Sequence, residues 1–368
     1  MVVTETRNPA LQDHAQNKSI PEGCITNQPN DAGFLPWNNT HNIITFEERR
    51  FINQISNGCL QLLFLIGGPA NFISAIVFAK QGLKDRINLL LFSISIADEL
   101  YLCTHMLLKS EEFFSIFTGK PHPSPLYVFV LTTPLKSLTG AARVSSVLTA
   151  IIACERCCCV MWPLKYQTLM RTRTMAVIVA AVFVSVIGLQ YLAVSKFSIV
   201  CAYDPLTGIT SQVFSGSEFY QKHKEVVDYV ESIVFGIGTG IVVMFVVVIA
   251  TLITIWKLRQ AVTWRTETGS SVSDKEVALT KMLVGVSVLF CVCVFPSFLR
   301  RVASIFVPDL ATRGRYENLY TAFTHIGNIG DFVNASLNIF IYYGMSSRYR
   351  MTLCGLFQRN YKDTPSTR

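Results

Sequence analysis

Charge is scarce in this 368-residue chain: Asp, Glu, Lys and Arg make up 15% of it, against 51% hydrophobic residues. A soluble domain carries charge at about a quarter of its positions, so the balance excludes an ordinary soluble fold and points to a membrane protein. Internal repeats and low-complexity domains are missing too; residues 263–273 form only a short Ser/Thr-rich loop. Transporters more often show repeats or paired broken helices. Neither a catalytic triad nor a metal-hydrolase motif appears, so an enzyme finds no support. Residues 1–56 are polar and contain no apolar run, which excludes a cleavable signal peptide there.

What is present is a series of long apolar stretches. Seven reach or approach the roughly 20 residues that cross about 30 Å of hydrocarbon. They are 58–79, 87–108, 126–160, 175–194, 234–256, 282–299 and 319–344. Lipid offers the backbone no hydrogen-bond partner, so all seven are expected to be helices. The expected fold is an all-α membrane protein, a seven-transmembrane helix bundle (57–345) between an extracellular tail (1–56) and a short amphipathic cytosolic helix with a tail (346–368). The third stretch, at 35 residues, is expected to tilt or to project beyond the bilayer.

Basic residues set the orientation. Connections after spans one, three and five, with the C-terminal tail, hold 17 Lys and Arg when Arg156 is counted with them. The N-terminal segment and the other connections hold 11, and Lys136, Arg143, Arg300 and Arg301 lie within or at the ends of spans. The excess predicts a cytosolic C-terminus and an outside N-terminus at the plasma membrane. The net charge of +8 then reflects topology and needs no nucleic-acid partner. Asn17 and Asn38 head glycosylation sequons that this orientation exposes. Of the eleven cysteines, Cys24, Cys59, Cys103 and Cys201 are the ones that could face an oxidising side.

Polar residues inside the apolar stretches are the next signal. Asn71 in the first span wants an interhelical hydrogen bond, and Asp98 in the second is functional by default at such depth. The third span ends in Glu155-Arg156-Cys157, followed by Pro163-Leu164-Lys165-Tyr166. Glutamate and arginine at a bilayer edge neutralise each other, and parting them costs energy, which suggests a latch; the alternative is that Arg156 is one more flanking charge. Pro296 predicts a kink in the sixth span. Asn334 and Asn338 lie four apart in the seventh, with Tyr342 a turn further on. Beyond it, 346–357 alternates apolar and basic residues at helical spacing, as suits a helix on the inner leaflet, with Cys354 placed for a palmitoyl chain or left unmodified.

In order and spacing these motifs resemble a rhodopsin-like (class A) G protein-coupled receptor over residues 58–358. Asn71 matches the family's first-span Asn, Ala97-Asp98 its second-span Asp, and Glu155-Arg156-Cys157 its acidic-Arg-Tyr triplet. Phe290, Cys293 and Pro296 match Phe-x-x-Cys-Trp-x-Pro, and Asn338 to Tyr342 match Asn-Pro-x-x-Tyr. The phrases at 80–85, 155–159, 339–343 and 346–350 look like those of molluscan chemosensory receptors and are similar to invertebrate neuropeptide receptors. There are departures. Cys157, Val294 and Ile339 replace Tyr, Trp and Pro; the fourth span lacks a Trp and the fifth a central Pro. Leu131 stands where a third-span Cys would fall, leaving Cys201 with Cys24, Cys59 or Cys103 as substitute partners.

The resemblance implies that an outside ligand shifts a pre-existing equilibrium and the sixth helix swings about Pro296. Arg156 then leaves Glu155 to meet a heterotrimeric G protein, and Tyr342 stabilises the open form. Phe290 or Phe295 takes the place of the missing Trp. No cofactor is required, although Asp98, Ser145, Asn334 and Asn338 offer oxygen ligands to a modulating sodium ion, or else form a water-bridged network. For ligand binding, Lys136 and Arg143 are seven apart on one face, with Arg300 and Arg301 at the outer end of the sixth span. These cations suit a small anionic ligand or an acidic peptide. Asp331 joins them or locks Arg143, while Arg300 and Arg301 could instead snorkel to headgroups. A chemosensory receptor is therefore expected, with a neuropeptide receptor as the alternative and a channel or transporter as the alternative of another class. A light receptor is excluded because no lysine lies in 319–345.

Overall fold

Thr45 begins the first helix through a reciprocal cap. Its hydroxyl accepts from the Glu48 amide at 3.3 Å while the Glu48 carboxylate accepts from the Thr45 amide at 2.9 Å. From there α1 (Phe46–Gln81) runs through Pro69 without interruption and stops at Gly82, whose φ of 100° few other residues adopt. This computed structural model describes residues 43–118, 130, 133–162, 170–204, 209–268, 274–307, 309–311 and 314–362.

The helix α2 (Arg86–Thr118) follows. The third span opens as a 3-10 turn, Pro134–Gly140, and continues as α3 (Ala141–Met161). Proline suits that first turn because its missing N–H would have had no partner there. The described part of the span, Pro134–Met161, is 28 residues long, and most of 126–132, where the expected span begins, lies outside the described residues. After α4 (Thr172–Val194) comes an antiparallel hairpin, β1 (Phe197–Asp204) and β2 (Ile209–Gly216), with Phe197 opposite Gly216. It is the one departure from all-α structure among the described residues. The helix α5 has three parts: α-helical Glu218–Tyr229, π-helical Val230–Val242, and α-helical Val243–Thr268. Then come α6 (Asp274–Phe306, containing Pro296), α7 (Glu317–Met345) and α8 (Ser347–Lys362).

Among the described residues, six helices are long and apolar enough to cross a membrane. The seventh, α7, is less apolar and carries Asn318, His325, Asn334 and Asn338 on its buried side. Together they form the seven-transmembrane bundle. In it α1 packs on α2 and α7, α7 on α6, and α3 runs through the middle against α2, α4, α5 and α6. Polarity is distributed as lipid demands. Leu62, Phe72, Val184, Leu252, Val292 and Phe340 face outwards, while Asn71, Asp98, Ser145 and Asn338 are buried. The buried Asn71 amide donates to the Ala335 carbonyl at 2.9 Å, joining α1 to α7 as expected.

The contact of α6 with α7 is closest beside the proline. A Cβ on Gly330 would meet the Cys293 carbonyl oxygen, and one on Gly327 the Ser297 hydroxyl. Both neighbours sit within three residues of Pro296, so α7 clasps α6 where the chain can bend.

Candidate functional site

At one end of the bundle the last turns of α3 carry Glu155, whose relative exposure is 1%. The Arg156 guanidinium folds back onto it, with Nε on Oε2 and Nη2 on Oε1 at 2.6 Å. A second arginine reaches the same carboxylate from the start of α2. Arg86 Nε donates to Glu155 Oε1 at 2.8 Å, Nη1 to the Met170 carbonyl at 3.1 Å and Nη2 to Cys159 Sγ at 3.4 Å. The sequence points to the Glu155–Arg156 pair. It does not point to Arg86, which reads as part of a basic turn and meets Glu155 only through the packing of α2 on α3. Pro163 to Tyr166 lie outside the described residues.

Midway along the bundle, Asn338 Nδ2 donates to Asp98 Oδ2 at 3.1 Å. Ser145 faces Asp98 from α3 as a hydrogen-bonding neighbour of its carboxylate, and Asn338 Oδ1 is buried with no hydrogen-bond partner among the described residues. A carboxylate beside a hydroxyl and an orphaned amide oxygen fits a hard cation. Asn334 is buried on the same helix, and no hydrogen bond from it to Asp98 or Asn338 is found among the described residues. One turn further, Tyr342 packs edge-on against Phe78 at 5.1 Å between centroids and is fully buried, its hydroxyl unpartnered.

Phe290 is buried at 1% exposure, whereas Phe295 is 48% exposed and stacks on Phe298. Phe295 faces outwards and cannot replace the missing Trp; Phe290 and the buried Val294 are the inward residues of the kinked stretch. Helical phase separates these neighbours.

At the opposite end, Arg143 Nη1 donates to Gln190 Oε1 at 2.8 Å and its guanidinium lies 4.4 Å from the Phe235 ring centroid. Arg143 forms no ion pair with Asp331, so the expected internal lock is not made, although Asp331 lies within electrostatic reach of Arg301, Arg143 and Arg300. Arg301 turns inwards against α5, where a Cβ on Gly240 would lie 2.6 Å from its Cδ and 2.7 Å from Nη1. Arg300 Nη1 donates to the Tyr320 hydroxyl at 2.9 Å. Lys136 has Lys196 as a charged neighbour. The 3-10 turn between Lys136 and Arg143 breaks the seven-residue spacing that would place them on one face.

The exposed Cys354 lies on α8, which docks through Tyr349. The Tyr349 hydroxyl shares a 2.9 Å hydrogen bond with Ser74 Oγ, and burial raises its phenol above the ordinary value. Cys59 and Cys103 are free thiols; the Cys201 side chain, Cys24, Asn17 and Asn38 lie outside what the structure describes.

The family model described as serpentine type 7TM GPCR chemoreceptor Srw matches residues 62–360. The chain belongs to this family. The match takes in every helix from α1 to α8 in whole or in part, hence the latch, the Asp98 group and the arginine cluster. Srw proteins are receptors, a class apart from enzymes, and the family's description makes them G protein-coupled. No curated protein matches the chain.

Proposed function

We propose that this Srw protein is a rhodopsin-like chemosensory receptor of the plasma membrane that binds a small anionic ligand outside and activates a heterotrimeric G protein inside. In this reading residues 1–56 form the extracellular tail, carrying glycans at Asn17 and Asn38. The Arg301 end faces the ligand, and residues 346–368 with the Arg156 end face the cytosol. A palmitoyl chain on Cys354 would anchor α8.

One observation carries the reading: a carboxylate buried to 1% exposure is held by an adjacent arginine where α3 ends. Parting Arg156 from Glu155 forfeits two charge-assisted hydrogen bonds, each worth about 1.5–3 kcal/mol, so the closed form is favoured until something compensates. A ligand that prefers the open form shifts the population, and Arg156 becomes available to the G protein. The swing of α6 would turn at Pro296 with Phe290 as the packed residue above the gate, and Tyr342 would accept a partner for its orphaned hydroxyl in the open form. Asp98, Ser145 and Asn338 would hold a sodium ion in the closed one, supplying oxygen ligands to a hard cation.

The test is expression with promiscuous G proteins and a screen of amino acids, small organic acids and amidated peptides. Arg156→Ala should abolish the exchange stimulated by any active compound while surface expression persists. Undiminished exchange in that variant removes the latch from the account, and nanomolar responses confined to amidated peptides favour a neuropeptide receptor instead.

A further inference from the structure

At the Arg301 end three guanidiniums lie within electrostatic reach of one carboxylate, from three helices: Arg143 on α3, Arg300 and Arg301 on α6, Asp331 on α7. Three positive charges and one negative leave an excess of two. Glu231 is the other acid that bears on Arg143, and it is already engaged in an ion pair with Lys196. Hydrogen bonding leaves the same surplus. Arg143 and Arg300 each satisfy one nitrogen, on Gln190 and Tyr320, and each keeps a buried Nε without a partner. Arg301 makes no hydrogen bond to any described residue and is wedged over Gly240; Asp331 makes none either. All four side chains are half-buried, neither sealed in the core nor spread into solvent.

Such charges interact strongly in the low dielectric of a helix bundle, and a guanidinium with free N–H groups is a fork shaped for carboxylate. We propose that this cluster binds a small dicarboxylate, with one carboxylate received by Arg143 from α3 and the other by Arg301 and Arg300 from α6. Asp331 is the selectivity residue. Its charge limits the deficit to two, so a monoanion leaves one guanidinium unmatched and a trianion brings its third charge against Asp331. This deepens the reading of the Arg301 end as the ligand end, and rests on it.

The full-length protein, purified in detergent at constant ionic strength, is titrated with acetate, succinate, tricarballylate and inorganic phosphate while its Tm is followed. Succinate should act at a concentration about ten-fold or more below acetate, the worth of one further charge-assisted hydrogen bond. Arg301→Gln should remove that advantage, and Asp331→Asn should move the preference towards tricarballylate. Should Arg301→Gln not fold, Gly240→Ala displaces the same guanidinium without changing its charge and should also weaken succinate. Acetate equal to succinate, phosphate active where succinate is not, or unaltered selectivity in Asp331→Asn would each overturn the proposal. Nucleotide exchange is not read, so failure here leaves G protein coupling standing, and failure of coupling leaves this site standing.

Discussion

Arg86 reaches Glu155 from a different helix at 2.8 Å, so the carboxylate that Arg156 must leave already has a second guanidinium. With Arg156 gone, Glu155 would remain paired at a position almost closed to water, and the several kcal/mol cost of a lone buried charge would be avoided. Arg86 thus eases opening, whereas a second bolt would resist it. Arg86→Gln should lower basal and ligand-stimulated nucleotide exchange by about ten-fold, since 1.4 kcal/mol suffices for that. In a Glu155→Gln background the same change should have no further effect, because no charge is left to strand. A rise in basal exchange on Arg86→Gln would make it a bolt.

The Ser145 hydroxyl and the orphaned Asn338 Oδ1 beside Asp98 give a salt-specific expectation. Tm in detergent should be higher in sodium chloride than in choline chloride of equal ionic strength. Asp98→Asn should erase the difference by removing the one charged ligand. Equal Tm in both salts for the unaltered protein counts against a cation there and favours a water-bridged network.

Two glycine substitutions should act with opposite signs. Gly330→Ala drives a methyl into the Cys293 carbonyl and must part α7 from α6, an overpacking worth about 1–3 kcal/mol, so Tm should fall. Gly188→Ala meets nothing within 4 Å on the outer side of α4 and should raise Tm slightly, by the roughly 0.5–1 kcal/mol that separates alanine from glycine in a helix. A parallel change in both variants would show that the clasp at Pro296 carries no special strain.

Local and same-face features were legible in the sequence. Asn71 finds its interhelical acceptor, Asp98 meets Asn338, Glu155 holds Arg156, and Phe290 lies inside. Each follows from a polar or aromatic side chain whose options within an apolar helix are few. Relations that depend on how separate helices abut were not legible. Arg86 joins Glu155 across 69 positions, and Arg301 finds room only because Gly240 of α5 has no side chain. The hairpin was missed for a different reason. Phe197, Ile199 and Tyr203 share one face of a stretch rich in β-branched and aromatic residues, and Asp204-Pro205-Leu206-Thr207-Gly208 has turn composition. That short signal is easily lost between two long apolar runs. Lys136 was misplaced because counting in sevens assumes an α-helix, and a 3-10 turn intervenes.

The thirteen π-helical residues of α5 hold length in reserve. The Val243 amide reaches back to the Gly238 carbonyl, five residues away, so each turn gathers one residue more than an α-turn and the axis is shorter for the same chain. Were those bonds exchanged for α-helical ones, the Glu218–Tyr229 end would advance and rotate with no change in any covalent bond. Gly240 lies in that stretch, so the rotation would carry it away from Arg301 and put a neighbouring side chain in its place.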